Sequence, residues 1–472
     1  MGLRMKRAAR AVAVLLALTL LHSTAATAGP AGAAEFKVPV EYYKLPNGLR
    51  VVLSPDHTSP TVCVGVYYRI GFRVEPRDRT GFAHLFEHMM FQGSQNLGKM
   101  EFIKLVQRNG GTLNGSTRFD FTNYFEILPA NKLETALWAE ADRMGGLAVT
   151  EENLKNQQGV VGNEVKANVL NRAYGGFPWL DMPQYANTNW YNAHNFYGDL
   201  KDIEAATLPD VQAFFKTYYA PNNAALAIVG DFEPAEAKKF VEKYFGGLKA
   251  SEIPPQPDLT EPRQEKEKHA TKNDALAKRP AIALAYHMPE RNTPEYYAMT
   301  LLDEMLIEGD DSVLYQELVQ KRGITGAVEG GINLLGNPWN YTGPMLFLIN
   351  MVYDPSTSPD TIVQAIDGAM QPLRTKAVDQ KTLDRALVKL RSDFYDTIGT
   401  QGGFGLVDLL ASLALFDDNP ARVNSLMPEY QKVTPELIQK TAQEYLRPEN
   451  RTVLNIQPAP QPTAAAGPTK NQ

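Results

Sequence analysis

Apolar positions along the chain follow two periods, and both recur through most of its length. Runs that are apolar throughout, or at every second residue, predict β-strands at 49–54, 61–69, 123–129, 224–232, 281–289 and 345–353. Stretches with apolar residues every three to four positions predict helices at 82–92, 131–146, 151–170, 208–219 and 235–246. Much of the β pattern is hairpin-like, so an α+β fold is favoured over a doubly wound sheet.

Two long segments of the chain are similar in sequence. Residues 207–223 and 434–450 align without a gap, and in each a helix leads through a turn into an apolar strand. Residues 105–111 are likewise similar to 318–323. Because the repeat spans roughly half of the chain, it indicates two related domains and not a solenoid of short units.

Shifts in composition divide the chain into segments. Residues 251–264 are rich in proline and charge and predict a linker. We therefore expect one domain at 36–250 and a homologous domain at 265–457. The segment 458–472 is low in complexity and is expected to be disordered.

The N-terminal 28 residues resemble a targeting signal. Basic residues precede a short apolar run, and Ala26-Thr27-Ala28 is a small-x-small cleavage signal. This pattern predicts a secretory signal peptide at 1–28, and therefore an exported protein in the periplasm or outside the cell. The apolar run is short for a membrane span, and the chain after it contains no apolar run of greater length. No stable span is therefore expected.

Composition and charge exclude two classes of protein. The net charge is −6 at pH 7, and the sequence has no dense lysine or arginine stripe. It therefore predicts no positively charged surface that would bind nucleic acid. The single cysteine, Cys63, excludes an internal disulfide framework. Because Cys63 lies in a strand-like apolar run, we predict that it is a buried core residue.

The motif HLFEH, residues 84–88, contains two of the seven histidines of the chain. On a helix, His84, Glu87 and His88 share one arc, because each residue turns the helix by 100°. The rest of the circumference is apolar, which predicts a buried helix. Buried polar groups need partners, and a divalent metal would satisfy these three side chains.

The duplicated half lacks this motif. Aligning the two halves places Thr300, Asp303 and Glu304 opposite the three polar residues of HLFEH. The second half thus keeps an apolar helix without either histidine. This restriction to one half favours a functional site in the first half and a scaffold role for the second.

A third ligand is expected in the same half, because catalytic zinc commonly takes three protein ligands and leaves a fourth position open. The predicted helix after Thr150 offers Glu164, which shares one stripe with Val160 and Val161. We expect that stripe to face inward, and a buried carboxylate needs a cation or hydrogen-bond donors.

HxxEH followed by a glutamate 76 residues later resembles the signature of the inverzincins, the pitrilysin/insulinase family of zinc peptidases. The segments FQGS at 91–94, GGTLNGST at 110–117 and YYAPNNAALAIVGDF at 218–232 are also similar to that family. The resemblance covers nearly the whole mature chain. Its two-domain length is similar to the processing-peptidase-like bacterial branch.

This resemblance implies a fold and a site. The fold would be two homologous α+β domains, each a mainly antiparallel sheet flanked by helices, that together enclose a cavity. One Zn²⁺ per chain would be held by His84, His88 and Glu164, and Glu87 would act as general base. Asn114 would lie on the edge strand that contacts the substrate backbone.

The chain departs from the family pattern at two places. Gln157 stands where the family usually has a further glutamate, and an amide cannot share negative charge with the site. A substrate-gripping Arg/Tyr pair has no clear counterpart, and Arg422 and Tyr430 are the nearest candidates. His194 is interpreted as structural, because a fourth protein ligand would close the open position.

The sequence therefore predicts an exported zinc-dependent endopeptidase that hydrolyses peptides or unfolded small polypeptides. The alternative is a non-catalytic structural or peptide-binding subunit of a peptidase complex. Glu87 favours the enzyme, because a structural metal site needs no base. The resemblance further implies a dimer with a homologous chain, first a heterodimer and second a homodimer, in which the partner contributes substrate-gripping residues.

Overall fold

The computed structural model describes residues 37–458. The predicted signal peptide, the first residue of the predicted first domain and the tail beyond Pro458 lie outside the described residues. Within 37–458, no single helix is long and apolar enough to cross a membrane, although the bent pair Gln380–Gly399 and Phe404–Asp417 meets that test jointly by length and composition.

The first half carries a six-stranded sheet. Its strands are β1 Glu41–Lys44, β2 Arg50–Pro55, β3 Thr61–Tyr68, β4 Thr112–Thr117, β5 Thr122–Pro129 and β6 Ala224–Gly230. They are ordered β1-β2-β6-β3-β5-β4. Only β2 and β6 run parallel, and the other neighbours are antiparallel. β4 is thus the last strand at one edge of this sheet, as the resemblance implied.

Nine helices accompany this sheet in the described part of the first half. They are α1 Phe82–Met89, α2 Glu101–Arg108, α3 Leu133–Gly146, α4 Glu151–Val165, α5 Asp181–Ala186, α6 Trp190–Ala193, α7 Leu200–Ala205, α8 Leu208–Tyr218 and α9 Pro234–Phe245. A π-helical segment, Lys166–Leu170, continues α4. Five of these helices were predicted from the apolar period, and their bounds agree to within a few residues.

The second half repeats the arrangement with one strand fewer. Its strands are β7 Lys268–Asp274, β8 Ala281–His287, β9 Glu329–Ile332, β10 Leu346–Val352 and β11 Arg451–Pro458, ordered β7-β11-β8-β10-β9. The pair β7/β11 is parallel and the rest are antiparallel. The same order and directions as β2-β6-β3-β5-β4 confirm the duplication and the α+β fold.

The helices of the second half follow the same plan. They are α10 Pro294–Leu306, α11 Pro359–Thr375, α12 Gln380–Gly399, α13 Phe404–Asp417, α14 Leu426–Tyr430 and α15 Pro435–Tyr445, with a π-helical segment at Tyr315–Lys321. Between the two sheets, residues 251–264 form no helix or strand. The domain boundaries at 250 and 265 stay a prediction.

Each sheet is covered on one face by a helix from the other half. α13 packs on β2, β3 and β6 of the first sheet, where Phe404 stacks on Phe125 with ring centroids 3.8 Å apart. α5 packs on β8 and β11 of the second sheet through Met182 and Ala186. Strand β3 is buried at every position after Thr61, and a strand buried on both faces needs a layer on each side.

Burial of β3 also accounts for Cys63. Its side chain is fully buried, and burial raises the pKa of the thiol well above its usual range. A buried neutral thiol is a small apolar core group and a poor nucleophile. The prediction of a core residue is confirmed.

Candidate active site

Helix α1 presents the HLFEH motif. Its N-terminus is held by the buried carboxylate of Glu75, which accepts hydrogen bonds from the amides of Gly81 at 2.8 Å and Ala83 at 2.5 Å. An acid at this position suits the positive end of the helix dipole. Gly81 has φ 81°, and an added Cβ would lie 2.4 Å from the carbonyl oxygen of Tyr197. The chain therefore needs glycine where it enters α1.

His84, His88 and Glu164 converge on one point. The Nε2 atoms of the two histidines are 3.3 Å apart. Glu164 Oε1 lies 3.5 Å from His84 Nε2, and Glu164 Oε2 lies 3.2 Å from His88 Nε2. Zinc bonds of about 2.0–2.1 Å in a tetrahedron place ligand atoms about 3.3 Å apart. The three side chains thus outline one face of such a tetrahedron.

This group is distinctive within residues 37–458. There it is the one set of three His, Cys, Asp or Glu residues whose ligand atoms all lie within 4.8 Å of one another. Burial lowers the pKa of His84 to about 4, so its imidazole is neutral at pH 7. A metal ligand must be deprotonated, and two imidazoles with one carboxylate are a donor set typical of catalytic zinc.

Aromatic residues support these ligands. The rings of Phe196 and Tyr197 pack against the His84 ring, with centroids 4.9 and 5.1 Å away. The Tyr197 hydroxyl donates to Glu164 Oε1 at 3.1 Å. A hydrogen bond from His88 keeps the pKa of Glu164 below its usual range. The contacts of Tyr197 therefore orient two of the three ligands.

Glu87 lies on the same arc of α1 and is half-buried. The hydroxyl of Thr117 donates to Glu87 Oε2 at 2.8 Å. Burial raises the pKa of Glu87, and the Thr117 hydrogen bond opposes that rise. Since Thr117 is the last residue of β4, this hydrogen bond links the carboxylate to the edge strand.

Strand β4 lies beside the ligand group. Asn114 is exposed there, opposite Phe125 of β5 in the register. Its side-chain oxygen accepts from the amide of Gly115 at 2.9 Å. The location of Asn114 on an edge strand is confirmed, and its contact with substrate stays a prediction.

The predicted facing of α4 is wrong at one residue. Val160 is exposed, because the buried face of α4 is set by Leu154, Val161 and Val165, and Val160 is turned 100° from Val161. Glu164 borders that face with 28% of its side chain exposed. It is therefore a half-buried group at the edge of the buried face of α4 and not a member of the apolar stripe.

Gln157 and His194 are outside the ligand group. Gln157 is buried on α4, and its amide donates to Asn156 Oδ1 at 2.8 Å. His194 stacks on Trp190, with ring centroids 4.3 Å apart, and its Nε2 lies 2.5 Å from the carbonyl oxygen of Phe72. These contacts are those of a packed structural histidine.

Arg422 and Tyr430 are wrong as candidates for a substrate-gripping pair. Arg422 is paired with Asp417 at 2.6 Å and donates to the Tyr297 hydroxyl at 2.8 Å. Tyr430 is fully buried, and its hydroxyl accepts from the Trp339 indole at 2.9 Å. Both side chains are engaged within the second half.

Sequence reasoning missed three residues of this site. Glu75 could have been noticed as an acid ahead of a helix start. Thr117 and Tyr197 carry no spacing signal, because their contacts to Glu87 and Glu164 span 30 and 33 residues.

Two family models match the chain. One, described as Insulinase (Peptidase family M16), matches residues 50–179, and the other, described as Peptidase M16 inactive domain, matches residues 205–390. The first match contains His84, His88 and Glu164. Together the two matches cover more than half of the chain.

Individual proteins of known sequence or structure are also similar to this chain. Zinc protease PqqE of Helicobacter pylori is 26% identical over 428 residues, which are 89% of this chain and 93% of that protein. The mitochondrial-processing peptidase subunit beta of Caenorhabditis elegans is 27% identical over 205 residues, which are 43% of this chain and 44% of that protein. A crystal structure of a protease from Helicobacter pylori has a TM-score of 0.82 at 26% identity, and covers 89% of this chain and 100% of that chain. The matching domain models, the two-sheet architecture and these relatives show that the chain belongs to the M16 family, the pitrilysin/insulinase family of zinc peptidases.

Proposed function

We propose that the protein is a zinc-dependent endopeptidase that cleaves peptides or unfolded small polypeptides. The observation that carries this proposal is the placement of Glu87 beside the His84, His88 and Glu164 group. A purely structural metal site needs ligands only. Here a fourth polar residue, Glu87, lies on the same arc of α1 as the two histidines. It is held by its own hydrogen bond, 2.8 Å long, from Thr117.

His84, His88 and Glu164 would hold the zinc ion, one per chain. A zinc ion there would act as a Lewis acid that polarises the peptide carbonyl group and lowers the pKa of a water molecule. The neutral imidazole of His84 and the carboxylate of Glu164 are already in the protonation states that metal binding requires.

Glu87 would act as the general base. Its carboxylate takes the proton from the attacking water and then delivers it to the nitrogen of the departing amine. The raised pKa of Glu87 brings its proton affinity closer to that needed near neutral pH. Thr117 holds Oε2, so the carboxylate keeps one orientation through both transfers.

The substrate would bind along β4. An edge strand presents unpaired backbone groups to which an extended peptide can add as a further strand. This mode requires main chain free of its own secondary structure, so peptides and unfolded polypeptides are the substrate class. Asn114, exposed on β4, would contact the peptide backbone beside the ligand group.

The alternative is a non-catalytic subunit that keeps the metal for stability, and Gln157 in place of the usual family glutamate favours it. Glu87→Gln distinguishes the two functions, because an amide cannot accept the proton. We expect the variant to keep one zinc per chain by elemental analysis and to lose cleavage of unfolded polypeptide by more than about a hundredfold. The matched control is Glu252→Gln, at an exposed residue of the predicted linker. It should leave the zinc content and the cleavage rate unchanged. Equal cleavage by Glu87→Gln and parent would contradict the assignment.

We also propose that the protein is exported and acts with a homologous second chain. The Glu164 and His88 side chains are 28% and 23% exposed, and a partner that covers them would restrict water around the reaction. One relative is by its name a subunit of a processing peptidase. Light scattering after size exclusion, run with the cleavage assay on the chain alone and mixed with a homologous partner chain, should give a dimer, first a heterodimer and second a homodimer. A fully active monomer whose activity no homologous partner increases would rule this out. N-terminal sequencing of envelope protein should begin after residue 28.

A further inference from the structure

The second half contains a cleft at the position of the first half's ligand group. Helix α10 corresponds to α1, and α12 corresponds to α4. Glu164 lies fourteen residues after Thr150, the N-cap of α4, and Asp393 lies fourteen residues after Asp379, the N-cap of α12. Asp393 is therefore the counterpart of Glu164.

Four carboxylates line this cleft, which has a volume of about 420 Å³. Asp303 and Glu304 project from α10, Glu308 follows that helix, and Asp393 projects from α12. Asp303 and Glu304 are only 8% and 5% exposed. At this place in the fold, the second half thus carries carboxylate oxygens where the first half carries imidazole nitrogens.

Three buried oxygen atoms of this cleft have no partner within residues 37–458. They are Asp303 Oδ1, Glu304 Oε2 and Asn333 Oδ1. The orientation of the Asn333 amide is defined, because its Nδ2 donates to Asn337 O and Asn340 Oδ1, both at 2.9 Å. Unpaired buried acceptors are costly, and here the three residues that carry them all line one cleft.

Basic side chains do not neutralise these acids. The described lining includes no lysine, arginine or histidine. Lys389 of α12 donates to the main-chain oxygens of Glu304 and Glu308 and to Asp311 Oδ1. Burial raises the pKa of Asp303 to about 7 and that of Glu304 to about 9, with further repulsion from Glu308 and Asp393, and the attraction of Lys389 offsets this rise only in part. The described lining of the cleft therefore holds no cationic side chain that pairs with Asp303 or Glu304.

We propose that this cleft binds one Ca²⁺ ion through Asp303, Glu304 and Asn333, with Glu308 and Asp393 at its rim. Carboxylate and carboxamide oxygens are the ligands of hard cations, and Ca²⁺ accepts six to eight of them in flexible geometry. Zinc prefers nitrogen and sulfur. No three acids here bring their oxygens within 4.8 Å of one another in the described structure, so water completes the shell, for which the cleft has room.

The spread of the ligands also favours Ca²⁺ over Mg²⁺, because Mg²⁺ demands near-octahedral geometry at shorter distances. The site is independent of the proposed peptidase activity and is tested by binding alone. Calorimetric titration of the zinc-loaded full chain with CaCl₂ should show one site, with Kd of about 10⁻⁴–10⁻³ M, the range of weak extracellular sites. MgCl₂ should bind at least about tenfold more weakly.

The test variant combines Asp303→Asn and Glu304→Gln, which keep side-chain size and remove the repulsion, so folding is retained. The variant should lose the heat of calcium binding and the calcium-dependent rise in Tm, and it should keep one zinc per chain. The matched control, Asp360→Asn with Glu436→Gln, neutralises two exposed acids of the same half and should respond as the parent does.

Two results would overturn the proposal. One is a parent protein without saturable calcium binding up to about 10 mM, tenfold above the weakest expected Kd. The other is an acid-neutralised variant that binds calcium as tightly as the parent.

Discussion

Tyr197→Phe tests whether the residues around the ligand group set its affinity for zinc. The Tyr197 hydroxyl donates to Glu164 Oε1 at 3.1 Å, and its ring packs edge-on against His84. Phenylalanine keeps the ring contact and removes the hydroxyl, and with it the hydrogen bond to Glu164 and a hydrogen bond with Asn168. The variant therefore separates the orientation of a ligand from the packing of the site.

The structure sets the expected size of this effect. Loss of a hydrogen-bond partner of a metal ligand typically weakens metal binding by about 10–100-fold. Glu164 is 28% exposed, so water can replace the lost donor. We therefore expect the lower limit, about tenfold, which corresponds to about 1.4 kcal/mol.

Competition with a fluorescent zinc chelator at neutral pH measures the dissociation constant. The control is Tyr185→Phe, which removes the hydroxyl of an exposed tyrosine on α5. The free energy of unfolding of metal-free protein should change by less than about 0.5 kcal/mol in Tyr185→Phe and by about 0.5–1.5 kcal/mol, the value of one hydrogen bond, in Tyr197→Phe. A zinc affinity within about twofold of the parent would refute the role of the Tyr197 hydroxyl, because that change is below the usual range.

Two further predictions concern stability. Gly81→Ala should destabilise the protein by about 1–3 kcal/mol in urea unfolding, because its left-handed backbone and the nearby Tyr197 carbonyl oppose a Cβ. Gly159→Ala, with open space at the same atom within α4, should instead stabilise it by about 0.5–1 kcal/mol, and a loss there equal to that of Gly81→Ala would contradict the reasoning. In calcium-free buffer, the contribution of Asp303 and Glu304 to the free energy of unfolding should fall as pH rises from about 4 to about 9. Burial raises the folded-state pKa of Asp303 to about 7 and that of Glu304 to about 9, so the folded state binds more protons across that window. Asp303→Asn with Glu304→Gln should flatten this slope, and an unchanged slope would show that other groups set it.

Local spacing was sufficient to predict α1 and its polar arc, because 100° per residue determines which side chains share a face. Which residues of α4 face the core was harder to predict. Val160 and Val161 are equally apolar, and only the packing of Leu154 and Val165 decides that Val161 is the buried one. Glu164 was still identified, because the resemblance to the family supplied a spacing that periodicity alone does not provide.

Contacts between distant segments could not be predicted in the same way. Tyr197 reaches Glu164 only after the loop beyond α6 has packed against His84. The fully apolar pattern of β3 indicated that both of its faces would be covered. It did not indicate that a helix from the second half would cover one of them, because any apolar helix satisfies that need.

The exchange of α5 and α13 between the halves limits how the chain can be divided. A protease cut in residues 251–264 would produce two fragments, each lacking one layer of its own core. Separation would expose Met182 on one fragment and Phe404 on the other, both of which pack on the opposite sheet. The nicked fragments should therefore remain associated until they are denatured. For the same reason, neither half expressed alone should be a stable protein, whereas co-expressed halves should reconstitute the complete fold.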